Sequence, residues 1–297
     1  MTPIVRRNAI YIGNDAATGE RTYLNLKWLQ KKNVHVIGPP GEGKTRWLLH
    51  LFQCLCRIPR ASVVLMNPKG ALARMARDWA LANGLTPRVT WFDPGDPAAV
   101  IGYNPLQPNG LHVHAHAKAV RESIRSAWGQ ESFDATPRIA KYLFLSLAVA
   151  RLFEWGLVEA LQILRPGAPL RRQILPRIGD PFLRESLESL DGMNRNLQED
   201  RVESCISRLE AFLCDPVIAA MLTAPRSLDL GQVIAGHRIL LVNLEIRRPL
   251  ALDDVRLLGR MLLNDIASHV FARPAGDKSP VYFILDECHQ FLTQDFT

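Results

Sequence analysis

The octapeptide GPPGEGKT at residues 38–45 constrains the fold of this chain more than any other feature. It matches the pattern G-x-x-x-x-G-K-[ST], in which glycines let successive backbone N–H groups turn inward around a phosphate group. A β-branched apolar run, 33–37, precedes it, and an apolar-periodic stretch, 45–55, follows it. The sequence therefore predicts a strand, a phosphate-binding loop and a helix in succession. An unoccupied glycine turn is the alternative interpretation.

Two polar residues at the end of this loop are expected to have chemical roles in a nucleotide site. Lys44 is expected to neutralise charge on the β- and γ-phosphates of ATP, and Thr45 to ligate Mg²⁺. The helix N-terminus adds its positive dipole at the same place. The candidate nucleotide contacts are Gly38, Pro39, Pro40, Gly41, Glu42, Gly43, Lys44, Thr45 and Arg46.

A second candidate site element lies near the end of the sequence. The apolar run Val281–Leu285 is followed directly by Asp286 and Glu287. In a phosphate-binding α/β fold we expect Asp286 to complete the Mg²⁺ shell and Glu287 to polarise the attacking water. An acidic pair that merely caps a strand is the alternative.

Strands alternate with helices in two parts of the chain, which predicts an α/β fold with a parallel-rich sheet covered by helices. Further strands are predicted at 62–66, 89–92 and 238–244, and further helices at 71–83 and 252–271. Between Leu111 and Leu222 helical periodicity dominates, which indicates an inserted all-α subdomain. We therefore divide the chain into an N-terminal part of the nucleotide domain (1–110), the helical insertion (111–225) and a C-terminal part of the nucleotide domain (226–297).

Three further patterns carry weaker signals. Asn67-Pro68-Lys69-Gly70 ends the second strand, at the edge where ligands of α/β proteins bind, although it also fits a plain turn. His112, His114 and His116 suggest a metal site, but only the first and third share a helix face, so a surface helix is favoured. Arg208 is a solvated helix residue or an arginine that reaches a neighbouring subunit's phosphate.

Charge is unevenly distributed along the sequence. The net charge is +7, and residues 1–130 contain 17 Lys and Arg against 7 Asp and Glu. This excess favours a polyanionic partner, either nucleotide phosphates or nucleic acid, over the alternative of a solvated basic face. Five scattered cysteines form no disulfide or metal framework. Charged residues interrupt the apolar stretch 142–164, so a buried helical pair is expected there rather than a membrane span.

These motifs resemble the FtsK/HerA superfamily of RecA-like P-loop ATPases, in particular the TraG/TraD-type coupling proteins of conjugation and type IV secretion. Asn67 stands where that family usually has aspartate. The resemblance rests on GPPGEGKT at 38–45, Leu285-Asp286-Glu287 with Gln290-Phe291, Asn67-Pro68-Lys69-Gly70, Phe92–Pro97 with Tyr103–Leu106, and Ser207-Arg208 with Phe212-Leu213.

The resemblance implies a cytoplasmic motor domain that hydrolyses ATP with Mg²⁺, binds DNA and assembles as a ring, commonly a hexamer, with secretion or conjugation machinery as a partner. It implies catalytic roles for Lys44, Glu287 and Arg208, and it places a further core strand beyond Thr297, so that the sequence is interpreted as a truncated domain. Two alternatives stay open: a nucleotide-gated binding or signalling module, and an inert remnant of a mobile element.

Overall fold

The structure is a computed structural model that describes residues 5–6, 8–29, 31–96, 101–127, 137–224, 227–246 and 251–291. The chain divides into two compact units, which we call the sheet unit and the helical unit. The sheet unit comprises Met1–Phe92, Gly231–Glu245 and Pro274–Cys288. The helical unit comprises Asp93–Leu230, Ile246–Arg273 and His289–Thr297.

The described strands are β1 (Val5–Arg6), β2 (Ala9–Asn14), β3 (Arg21–Asn25), β4 (Ser62–Asn67), β5 (Val89–Phe92), β6 (Ile239–Asn243) and β7 (Val281–Leu285). The described helices are α1 (Leu26–Leu29), α2 (Lys44–Leu55), α3 (Ala71–Ala82), α4 (Val113–Ala127), α5 (Pro137–Leu152), α6 (Leu157–Leu164), α7 (Pro169–Ile174), α8 (Pro181–Asp191), α9 (Arg195–Leu213), α10 (Pro216–Thr223), α11 (Leu230–Ala235) and α12 (Leu252–Phe271).

A four-stranded parallel sheet with the order β5-β6-β4-β7 forms the centre of the sheet unit. All residues of β4 and β6 are buried, as expected for central strands of a parallel sheet covered on both faces. The edge strand β7 alternates instead, with Tyr282 and Ile284 buried and Phe283 exposed. Helices α2 and α3 pack against this sheet. The fold class predicted from the sequence, α/β with a parallel sheet flanked by helices, is therefore confirmed.

A small antiparallel sheet, β1-β2-β3, precedes the parallel one. It is joined to α2 by two side chains of that helix. The indole N–H of Trp47 donates to the carbonyl of Ile12 at 3.0 Å, and His50 Nε2 lies 2.7 Å from the carbonyl oxygen of Tyr11. These contacts fix α2, and with it the loop that precedes α2, on the sheet unit.

The helical unit contains only helices and short turns from 111 to 127 and from 137 to 222, as the periodicity predicts. Helices α8 and α10 begin at Asp-Pro pairs, and α9 begins after Asn194. Asp180 caps α8 by accepting from the N–H of Leu183, and Asp215 caps α10 in the same way. Helices α5 and α6 are the buried pair expected from the apolar stretch at 142–164.

The predicted strand at 33–37 is wrong, because these residues have no regular secondary structure. Both neighbours of β4 are other strands, β6 and β7, and the side chain of Ile37 is 92% exposed. A run of β-branched residues is compatible with a strand, but it forms one only when a neighbouring strand pairs with its backbone. Helix α12 also differs from expectation, since it belongs to the helical unit rather than to the C-terminal part of the nucleotide domain.

Candidate functional site

The glycine-rich loop leads directly into α2, whose first residue is Lys44. Gly41 and Gly43 have φ angles of 90° and 80°, and no heavy atom lies within 4 Å of where a Cβ would be at either position. The left-handed backbone, rather than crowding, therefore requires glycine there. The ammonium group of Lys44 donates to the carbonyl oxygens of Gly38 at 2.6 Å and Pro39 at 2.7 Å, so it closes the loop onto itself.

The loop presents groups that suit an anion. Backbone N–H groups in the first turn of a helix have no intrahelical acceptor, and the helix dipole adds positive potential there. Lys44 and Thr45 are half-buried, while Glu42 and Arg46 are exposed. Helix α2 packs against β4 and β7, the two strands whose carboxyl ends carry the other polar residues of the site.

Asp286 follows β7 and is held by two hydrogen bonds to the end of β4. Its backbone N–H donates to the carbonyl of Met66 at 3.1 Å, which extends the parallel pairing by one residue. The side-chain amide of Asn67 donates to Asp286 Oδ2 at 2.8 Å. Burial raises the pKa of Asp286, and the adjacent Glu287 carboxylate adds to this. Lys69, the backbone N–H of Glu287 that donates to Asp286 Oδ1 at 3.1 Å, and the Asn67 amide oppose the rise.

This arrangement gives a physical reason for asparagine at position 67. Asn67 is fully buried, and its amide nitrogen is a donor toward the Asp286 carboxylate. An ionised aspartate at this position would have no proton to donate and would place two negative charges side by side. Asparagine therefore supplies the partner that a buried carboxylate needs.

Glu287 has a left-handed backbone, with φ of 51°, which is uncommon for a residue with a side chain. Its Oε1 accepts a hydrogen bond from the ammonium of Lys69, and the two form an ion pair. This hydrogen bond raises the pKa of Lys69, and burial opposes the rise. The structure thus brings the 67–70 turn onto the acidic pair, which the sequence analysis did not predict.

The turn that carries Lys69 is fixed by an ion pair behind it. Gly70 has a φ of 75°, and a Cβ there would lie 2.6 Å from Arg74 Nη1 and 2.7 Å from Glu245 Cδ. Arg74 and Glu245 form a bidentate pair with nitrogen–oxygen distances of 2.7 and 3.2 Å. The left-handed backbone and the nearness of this pair both favour glycine at position 70, in the turn that carries Lys69.

Two of the weaker candidates lie in the helical unit. Arg208 is on α9, where it donates to the carbonyl of Ser204 at 3.1 Å. His116 Nε2 lies 2.9 Å from the carbonyl oxygen of Pro105, and its Nδ1 accepts from Arg151. Within the described ranges, no three His, Cys, Asp or Glu side chains are grouped as a metal site. Pro97, the last residue of the Phe92–Pro97 motif, lies outside the described residues.

The sheet unit has polar side chains of the kinds that Mg²⁺ and phosphate groups bind. Mg²⁺ prefers oxygen ligands and is usually bound through one or two carboxylates and substrate phosphates rather than in a cage made of protein alone. The Asp286 carboxylate and the Thr45 hydroxyl are ligands of this kind. The half-buried position of Asp286 at the carboxyl edge of a parallel sheet is where ligands of open α/β folds bind.

Comparisons with models of known protein families and with curated proteins give no match for this sequence. In the part of the chain that the structure describes, no helix combines the length and apolar character needed to cross a lipid bilayer.

Proposed function

We propose that this chain is a P-loop ATPase whose hydrolysis of ATP drives the movement of DNA. The proposed ATPase activity rests on three neighbouring elements of the sheet unit. A GxxxxGKT loop opens α2, α2 packs on β4 and β7, and β7 ends in Asp286 and Glu287. Enzymes catalyse phosphoryl transfer by positioning the reactants and by stabilising charge electrostatically. A phosphate-binding loop and an acidic strand end are the two elements that such catalysis needs.

The side chains have distinct roles in this proposal. Lys44 and the N–H groups of the first turn of α2 bind the phosphates, and Thr45 and Asp286 hold Mg²⁺. Bound Mg·ATP supplies the transferable phosphoryl group and the charge that offsets negative charge developing on it. Glu287 orients the attacking water and accepts its proton. Arg208 is proposed to stabilise transition-state charge on a neighbouring subunit of a ring, as arginines in related chemistry do.

The resemblance of the motifs to TraG/TraD-type ATPases and the excess of basic residues in 1–130 support DNA as the substrate that is moved. The sheet unit also contains an open surface pocket of about 720 Å³ whose lining includes Trp28, Lys27 and Lys31. Trp28 is 46% exposed there, and Lys27 and Lys31 lie on the same rim. An exposed indole stacks with bases of any sequence, while lysines pair with the phosphates.

Lys44→Ala tests the nucleotide site. Removing a charge-assisted contact to phosphate is expected to weaken Mg·ATP binding by at least about tenfold, measured by calorimetry or by titration with a fluorescent nucleotide. Lys278→Ala is the matched control, because Lys278 is an exposed lysine of the same unit. Equal affinity in the wild type and in the Lys44 variant would contradict the assignment of the loop.

Stimulation by DNA tests the second half of the proposal. ATP hydrolysis is measured with and without single- and double-stranded DNA across a salt series. A motor is expected to hydrolyse faster with DNA, and the stimulation should fall steeply with salt because phosphate contacts release counterions. Nucleotide binding without any effect of DNA at low salt would favour the nucleotide-gated signalling module instead.

A further inference from the structure

The strongest unexplained contact at the site is the ion pair between Lys69 and Glu287. The two residues are 218 positions apart in the sequence and meet because β4 and β7 are neighbours in the sheet. Other contacts hold the backbone near each of the two residues. The turn that carries Lys69 is fixed at Gly70 by the Arg74–Glu245 pair, and Glu287 follows Asp286, which is bonded to Met66 and Asn67.

The two ends of the pair differ in how easily they move. The side chain of Lys69 is 66% exposed and that of Glu287 is 28% exposed. An exposed lysine has a long flexible stem and can leave an ion pair for water at little free-energy cost. Glu287 has a shorter side chain and directly follows Asp286, whose backbone N–H is hydrogen-bonded to the carbonyl of Met66 on β4. The glutamate is therefore the fixed end and the lysine is the movable end.

The chemistry of a general base makes this pair significant. A carboxylate can accept a proton from water only through an oxygen lone pair that is directed at that water. An ammonium bonded to the same carboxylate occupies one oxygen. While Lys69 is bonded to Glu287, that oxygen is directed at the 67–70 turn and is not available to a water.

We propose that Lys69 restrains Glu287 in a resting state, and that hydrolysis requires this ion pair to open. Lys69 is then a positioning residue that acts through Glu287. This inference rests on the proposed function, because it takes Glu287 as the group that activates water. It gives the 67–70 turn a role in regulating hydrolysis. From the sequence alone, this turn could be either part of the ligand-binding edge of the sheet or a plain turn.

Steady-state ATP hydrolysis by Lys69→Met tests the restraint. Methionine keeps the apolar stem and removes the charge. Since exposed ion pairs contribute about 0.2–1 kcal/mol, the open state is expected to gain about 1.4- to fivefold in population. We expect kcat to rise by a factor in the upper part of this range, about two- to fivefold, with KM for ATP unchanged. Lys69→Arg retains a cation and is expected to keep the low rate, and Lys278→Met controls for loss of one positive charge.

The double variant Lys69→Met/Glu287→Gln shows whether the effect passes through the glutamate. It should hydrolyse ATP no faster than Glu287→Gln alone. A second measurement, independent of turnover, is the double-mutant cycle of the same variants in urea unfolding, which should give a coupling free energy of favourable sign.

The outcomes separate this inference from the proposed function. Hydrolysis that is insensitive to both Lys44→Ala and Glu287→Gln would contradict the proposed function itself. Hydrolysis that depends on Lys44 and Glu287 but is unchanged or slower in Lys69→Met would overturn the restraint alone. Lys44-dependent nucleotide binding with no turnover in either the wild type or Lys69→Met would overturn it too, because releasing the base should restore hydrolysis. Zero coupling between the residues in the unfolding cycle would likewise show that no restraining pair exists.

Discussion

Asp265 is a buried acid in the core of the helical unit, on α12, with 7% of its surface exposed. Its Oδ1 accepts from the side-chain amide of Asn109 at 2.8 Å, and the Tyr103 hydroxyl also favours its charged form. His269 Nε2 lies 3.8 Å from Asp265 Oδ1, and burial lowers the pKa of that imidazole. Burial raises the pKa of Asp265 to about 7, and Asn109 and Tyr103 only partly oppose this rise.

This pKa determines how the stability of the helical unit depends on pH. The ordinary pKa of aspartate is 3.8, so the folded state binds the proton more tightly than the unfolded state does. Stability contributed by the neutral acid is therefore fully present below pH 3.8 and is lost as pH rises through 7. A shift of about three pKa units corresponds to about 4 kcal/mol at alkaline pH, since each unit is worth 1.36 kcal/mol.

Asp265→Asn replaces the acid by a neutral group of the same shape that can still accept from Asn109. We expect the difference in free energy of unfolding between the variant and the wild type to grow in favour of the variant as the pH rises. This difference should be about 3 kcal/mol larger at about pH 8 than at about pH 4.5. Urea unfolding followed by far-ultraviolet circular dichroism measures this. Asp253→Asn, at an exposed position on the same helix, should give no such trend. Parallel pH curves for wild type and Asp265→Asn would refute the argument.

Further substitutions test the nucleotide site, the DNA-binding surface and the packing. Glu287→Gln should bind ATP normally but lose nearly all turnover, because an amide cannot accept the water's proton. Asp286→Asn should instead raise the Mg²⁺ concentration needed for half-maximal hydrolysis. Measurements of nucleotide affinity and Mg²⁺ titrations of the hydrolysis rate distinguish the two effects. Trp28→Ala should weaken binding of single-stranded DNA by about 1–3 kcal/mol in fluorescence anisotropy, while Trp28→Phe keeps most of it. Gly259→Ala adds a methyl group that would overlap the ring of Phe291, so thermal unfolding should show a loss of about 1–3 kcal/mol.

The elements of the parallel sheet could be predicted closely from the sequence. Strands β5 and β7 and helix α12 have the expected bounds, and β4 is one residue longer than predicted. Buried parallel strands appear as continuous apolar runs, and the helices between them have a clear apolar period, so local sequence is enough. The loop before α2 was also predictable, because Gly41 and Gly43 have the positive φ angles that favour glycine, and the motif places glycine at both positions.

The arrangement of those elements could not be predicted in the same way. Whether 33–37 joins the sheet depends on which strands flank β4, and no residue of the run itself specifies that. The contact of Lys69 with Glu287 depends on the same adjacency, since both patterns were visible but nothing local connects them. Asn67 was recognised as a departure from aspartate, and only its bond to Asp286 explains why an amide suits the position.

The strand order has a consequence for how the protein emerges from the ribosome. Strand β4 is among the first apolar segments synthesised, yet both of its neighbours, β6 and β7, come after the whole helical insertion. At a translation rate of about 5–20 residues per second, the roughly 170 residues between β4 and β6 take about 10–35 seconds to make. For that time the buried run Ser62–Asn67 has no strand to pair with. The helices of the insertion form from local contacts and can fold before β6 and β7 are synthesised. The sheet topology therefore leaves this strand without its two partner strands for most of synthesis, a situation in which nascent chains are prone to aggregate.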